Sequence, residues 1–124
     1  MVRVFKTKTF ARFASREGIP DRDLHDAIVR AETGLIDADL GGGVIKQRLR
    51  RDGAGKSGGF RSIVLYRRGE LVFFVYGFAK NERDNITKGE LKAFRKLADT
   101  MLALDHFSLA AAVKNGTITE IMTP

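Results

Sequence analysis

The chain has 124 residues and no Cys, which suits one domain around a single core and excludes disulfides, Cys-ligated zinc and a thiol nucleophile. With 44% hydrophobic and 30% charged residues it reads as a folded globular protein, not a disordered or fibrous one. Lys and Arg number 22 against 15 Asp and Glu, a formal net charge of +7, which draws polyanionic partners, nucleic acid first and an acidic protein as the alternative.

No apolar run reaches the length of a membrane span, and the stretch from Met1 to Lys6 lacks the apolar core of a signal peptide. The expected location is therefore the cytoplasm, where the Asn85/Thr87 and Asn115/Thr117 sequons are chance matches. His25 and His106 stand far apart in helical stretches and read as ordinary helix residues rather than metal ligands or an acid–base pair.

In chain order, Phe10, Ala11, Phe13 and Ala14 fall at helical spacing between Lys6 and Arg16, and Gly18 to Pro20 ends that helix. Asp21 can cap a second helix with an inner face of Leu24, Ala27, Ile28, Ala31 and Leu35. Two helices are thus expected before the first strand. Leu40 to Gly43 breaks the pattern, and Val44 to Arg50 alternates with period two, which places Lys46, Arg48 and Arg50 on one face. Residues 51 to 59 form a glycine-rich basic loop. Phe60 to Tyr66 is a strand ending in a turn at Arg67 to Gly69, and Leu71 to Phe78 is a central strand with Phe73, Phe74 and Phe78 in the core. Thr87 and Glu90 have the spacing of a capping box, and Leu91, Phe94, Ala98, Met101 and Leu102 then share a helical face. Asp105 can cap a short helix through Lys114, stopped by Gly116, before an edge strand over Thr117 to Met122. The expected architecture is α+β: two N-terminal helices packed on a small antiparallel β-sheet, with a C-terminal helix, in a single domain over 1–124.

Chemistry concentrates between Gly43 and Arg68, where eight basic residues, Lys46, Arg48, Arg50, Arg51, Lys56, Arg61, Arg67 and Arg68, face one acid, Asp52. Strand alternation and the hairpin aim several of them at one surface, able to clamp phosphates and neutralise charge growing on a phosphoryl oxygen. A plain solvated sheet face would mix signs instead. Gly55, Lys56 and Ser57 invite comparison with a nucleotide-binding loop, but Arg50 occupies the position of the required upstream Gly, and a strand follows where a helix is needed. After the central strand, Lys80 and Arg83 add cations, and Tyr76 or Phe78 could stack on a base. Asp37 and Asp39 lie in a connecting loop, and Glu82 and Asp84 can serve local pairing, so no paired-carboxylate or metal centre is expected. What remains for RNA cleavage is attack by a 2′-hydroxyl on the adjacent phosphate, assisted by Lys and Arg that stabilise charge and move protons. No cofactor is implied.

The runs Gly41 to Arg48, Gly55 to Arg61 and Tyr76 to Ile86 resemble the signature of a RelE/HigB-like group of type II toxins, the last run being the most specific. The resemblance implies the RelE fold and a ribosome-dependent endoribonuclease that cuts messenger RNA in bacteria, held inactive by a cognate antitoxin, often a helix-turn-helix repressor. By position it implies that Lys46, Arg48, Lys56 and Arg61 hold phosphates and support catalysis, with Lys80 completing the site. Arg50, Arg51, Arg67, Tyr76 and Arg83 are the candidate RNA-binding residues around it. The sequence departs from better-known relatives in lacking a His near the site and an aromatic residue near its C-terminus. ParE-like proteins share the fold and poison gyrase without cutting RNA, and a non-catalytic nucleic-acid binder or an inactive relic would also need the basic surface.

Overall fold

The computed structural model describes residues 2–50, 59–67 and 70–122. Its elements are β1 (Arg3–Thr7), α1 (Lys8–Glu17), α2 (Asp21–Glu32), β2 (Ala38–Gly41), β3 (Val44–Leu49), β4 (Phe60–Tyr66), β5 (Leu71–Ala79), α3 (Lys88–Met101), α4 (His106–Lys114) and β6 (Ile118–Ile121). The strands form one six-stranded sheet in the order β2-β3-β4-β5-β1-β6. The fold is α+β, as the sequence implies.

One face of the sheet is sealed by α1 and α2, where Phe10, Phe13, Leu24 and Ile28 meet Ile45, Leu49, Phe60, Val64 and Phe74. The other carries α3 and α4, with Ala98 and Leu109 over Phe5, Val44, Ile63, Leu65 and Phe73. Strands covered on both sides must be apolar at successive positions, which is why β4 and β5 read as nearly continuous hydrophobic runs. Phe73, Phe74 and Phe78 lie in the core as expected.

A strand, β1, precedes the two N-terminal helices, contrary to the sequence reading. It pairs parallel with β5 and antiparallel with β6, so its partners lie far along the chain. Val4 and Phe5 are both buried, on opposite faces, and two adjacent apolar residues between Arg3 and Lys6 carry no period-two signal. The sheet is therefore mixed. At the other edge, β2 pairs with β3 through a turn in which Gly41, Gly42 and Gly43 all have positive φ. A Cβ on Gly42 would sit 2.8 Å from Cγ of Arg95.

The expected caps are present with one change. Thr87 and Glu90 form the complete capping box of α3, and Asp105 accepts a hydrogen bond from the Ser108 amide at the start of α4. Asp21, by contrast, is the first residue of α2 behind an N-cap at Pro20, where its charge suits the positive helix end and its carboxylate takes the Lys6 ammonium at 2.8 Å. Leu35 lies beyond the end of α2 and is 64% exposed, not on its inner face.

A β-bulge in β5 aims the site. Ile63 pairs with Tyr76 and Val64 with Phe74, leaving Val75 as the extra residue. Past the bulge, Tyr76 and Phe78 point to the α3 side and Gly77 to the α1 side. Gly77 has to be glycine, because a Cβ there would meet the Phe13 ring at 2.3 Å.

Candidate functional site

The α3-side face of the sheet is apolar beneath α3 and α4 and charged beyond them. Register aligns Arg48 with Arg61 and Arg61 with Phe78 in one row across β3, β4 and β5, and Lys46 with Ile63 and Ile63 with Tyr76 in the next. Alternation from Val44 and Ile63, both packed against the α3 layer, places Lys46, Arg48 and Arg61 on that same face.

An aspartate organises the two arginines. Asp37 approaches Nε of Arg61 at 3.3 Å and Nη2 of Arg48 at 3.7 Å. The Arg61 side chain is only 5% exposed, so its charge needs this partner. Asp37 is itself held from the opposite layer. Its amide donates to Oε1 of buried Gln47 at 3.0 Å, while Nε2 of Gln47 donates to the carbonyls of Ala27 and Leu35, each at 2.9 Å. An amide group in the α2-side core thereby fixes the loop that carries the acid to the arginines.

A second carboxylate, Glu90, grips Arg83. Nη2 of Arg83 donates to Oε1 at 2.6 Å and Nη1 to Oε2 at 3.3 Å, while Nε donates to the Asn85 carbonyl at 3.0 Å. Nη1 also donates to the Tyr76 hydroxyl at 3.0 Å, with the guanidinium 5.8 Å from the Tyr76 ring centre and 5.6 Å from that of Phe78. The hydrogen bond from Arg83, helped by the Thr87 amide, holds the Glu90 carboxyl down at about 2. The capping box thus locks the start of α3 and steadies Tyr76, whose ring lies between Phe78 and Phe94.

The structure brings together Lys46, Arg48, Arg61, Tyr76 and Arg83. Lys80 is exposed just past β5, its amide bonded to the Gly59 carbonyl. Two expected members stand elsewhere. Arg67 is at the far end of β4, bonded to the Gly42 carbonyl and to Asp99, about 20 Å along the strand from Arg61. Arg50 lies past the end of β3 and lines a polar hollow with Arg16, Glu17, Asp23 and Phe60, on the α1–α2 side, so it does not share the face of Lys46 and Arg48. Arg51 and Lys56 fall outside the described residues. The sequence reading overlooked Asp37 as a partner of the site. Its signal was Arg61 itself, a charge inside an apolar strand that had to find an acid.

Arg61 is buried, with Nη1 donating to the Phe60 carbonyl, while Arg48 beside it on Asp37 is 43% exposed, and a guanidinium held in this way is suited to a phosphodiester. An ammonium lies one row away and a partly exposed phenol ring on the next strand, positions able to serve a neighbouring phosphate and a base. This cationic shelf lies at one end of a small mixed sheet clad by helices on both faces. Residues 2–121 match the family model described as the RelE toxin of the RelE / RelB toxin-antitoxin system. The chain belongs to the RelE toxin family, and is the toxin of a toxin–antitoxin system with an antitoxin as its partner. No curated protein matches it. No helix among the described residues is long and apolar enough to cross a membrane.

Proposed function

We propose that the protein is a metal-independent endoribonuclease that cuts messenger RNA on the translating ribosome in the bacterial cytoplasm. The observation that carries this reading is the row of Arg48 and Arg61, held by Asp37 on the same sheet face as Lys46. In the reaction the 2′-oxygen attacks the adjacent phosphorus, the bond to the 5′-oxygen breaks, and the products are a 2′,3′-cyclic phosphate and a 5′-hydroxyl. Arg61 and Arg48 neutralise the charge that grows on the non-bridging oxygens. In this reading Lys46 and Lys80, with Lys56, which lies outside the described residues, carry the proton leaving the 2′-hydroxyl and the one reaching the 5′-oxygen. Tyr76 stacks on a base, and Arg83 acts chiefly as its brace, because Asn85, Tyr76 and Glu90 engage all three guanidinium nitrogens. The antitoxin, a helix-turn-helix repressor, presents acidic residues to this surface, which speeds docking and covers the site.

The test is controlled expression in cells followed by mapping of message 5′ ends, with Arg61→Ala beside the wild type. Cuts inside translated regions that vanish in the variant support the nuclease. Growth arrest with intact messages would make the protein a gyrase inhibitor or a non-catalytic nucleic-acid binder of the same fold.

A further inference from the structure

Helix α3 carries Lys88, Lys92 and Lys96 at intervals of four residues, all exposed. That interval puts them on one stripe with about 6 Å between steps and about 12 Å end to end. None makes an ion pair or side-chain hydrogen bond with a described residue, whereas on the same helix Glu90 is taken by Arg83, and Asp99 by Arg67. The arrangement works against the helix. Lys88 stands in the first turn, beside the positive end of the macrodipole, and each neighbouring pair of lysines repels at i,i+4 spacing. Local rules broken without compensation inside the fold mark a surface kept for another purpose.

The charge and position of the stripe indicate its occupant. It starts in the first turn after the Thr87–Glu90 capping box, at the end of α3 where Glu90 holds Arg83, and lies on a different side of the helix from Glu90. Leu97, at 37% exposure, is the large exposed hydrophobic residue of α3. A protein partner would want an apolar or aromatic anchor at its centre, and the exposed anchor of that kind, Phe107 at 85%, belongs to α4. A line of free ammonium groups at regular spacing on a rigid helix instead suits a rigid line of phosphates.

We infer that the Lys88–Lys92–Lys96 stripe of α3 is a second RNA-binding surface, separate from the cleavage site, that docks along one backbone strand of helical RNA. The inference builds on the reading of the neighbouring shelf as an RNA site but requires no cleavage. The stripe supplies affinity and orientation without base readout, as phosphate contacts do, and keeps a structured RNA beside the shelf while a flexible message is threaded over it.

The test is the salt dependence of binding to a labelled 20-base-pair RNA hairpin, and to a single strand of the same length, measured for wild type, Lys88→Gln/Lys92→Gln/Lys96→Gln and the matching triple Arg variant. Removing one phosphate-bound cation lowers the slope of log Kobs against log salt by about 0.7 to 0.9, so the triple Gln protein should fall by about two to three units on the hairpin, with the Arg protein unchanged. Melting of the Gln protein at or above the wild-type temperature is expected and shows that its fold is intact. A hairpin slope unchanged in the Gln protein overturns the inference and leaves the stripe to an acidic protein. A fall confined to the single strand also overturns it, assigning the lysines to the message path. Because binding is read without cleavage, failure of the nuclease reading does not alter either result.

Discussion

Two carboxylates serve arginines on the same face of the sheet, and they serve them differently. Asp37 comes from a loop at the β2 edge and contacts the buried Arg61 and the 43% exposed Arg48 through single oxygens, which leaves Arg48 with donors open to a ligand. Glu90 sits in the first turn of α3 and engages Arg83 with both oxygens, while Tyr76 and Asn85 take what remains. An acid can therefore present a cation or absorb it. Which occurs depends on how many of the arginine's donors the protein itself satisfies. In the proposed mechanism Arg61 and Arg48 act on the RNA, whereas Arg83 acts through Tyr76.

The comparison breaks most visibly at Arg61. Arg61→Ala should lower the cleavage rate by about 10²-fold or more, in line with loss of one donor to a developing oxyanion, and a single-turnover assay on programmed ribosomes reads it. A drop of that size for Arg83→Ala, at unchanged affinity, would show that both clamps present their cations alike. Next comes Asp37→Ala, which strands the buried Arg61 guanidinium and should cost about 1–3 kcal/mol of stability, measured by urea unfolding. Asp37→Asn should recover part of the stability and less of the activity.

Glu90→Gln should cost about 1 kcal/mol through loss of the charged half of the capping box. Its signature is a pH dependence. The carboxyl of Glu90 lies at about 2 in the folded protein against an ordinary value of 4.5. A depressed carboxylate stabilises the fold above its unfolded value, and that stabilisation is lost as pH falls from 4.5 toward 2. Thermal melting across this window should fall less steeply for Glu90→Gln than for the wild type. The smallest effect on the fold is expected for Lys80→Ala, within about 0.5 kcal/mol because the side chain is exposed, with reduced cleavage as its only consequence.

Much of this was legible in the sequence where the signal is local. The capping box of α3, the Asp105 cap of α4 and the Gly18 stop of α1, with Gly18 at φ 69°, all depend on residues a few positions apart. Alternation along β3 correctly put Lys46 with Arg48. What the sequence hid was long-range. β1 is a strand because β5 and β6 flank it, and nothing within its five residues announces that. Density of charge along the chain is also not density in space. Arg61 is near the start of β4 and Arg67 just past its end, and Arg50 turns away where β3 stops. Asp37 was hidden in the same way, since its role depends on Gln47 reaching it from a strand and holding the loop in place.

The central claim is that the Asp37-held pair of arginines is the centre that cleaves RNA. The most direct measurement adds purified protein to ribosomes programmed with a defined message and maps the 3′ ends produced, comparing wild type with Asp37→Asn and Arg61→Ala. Cuts ending in a 2′,3′-cyclic phosphate, slowed in Asp37→Asn and lost in Arg61→Ala while both variants still melt cooperatively, are the predicted result. Messages left intact by the wild type, or cut equally by a folded Arg61→Ala, would contradict it.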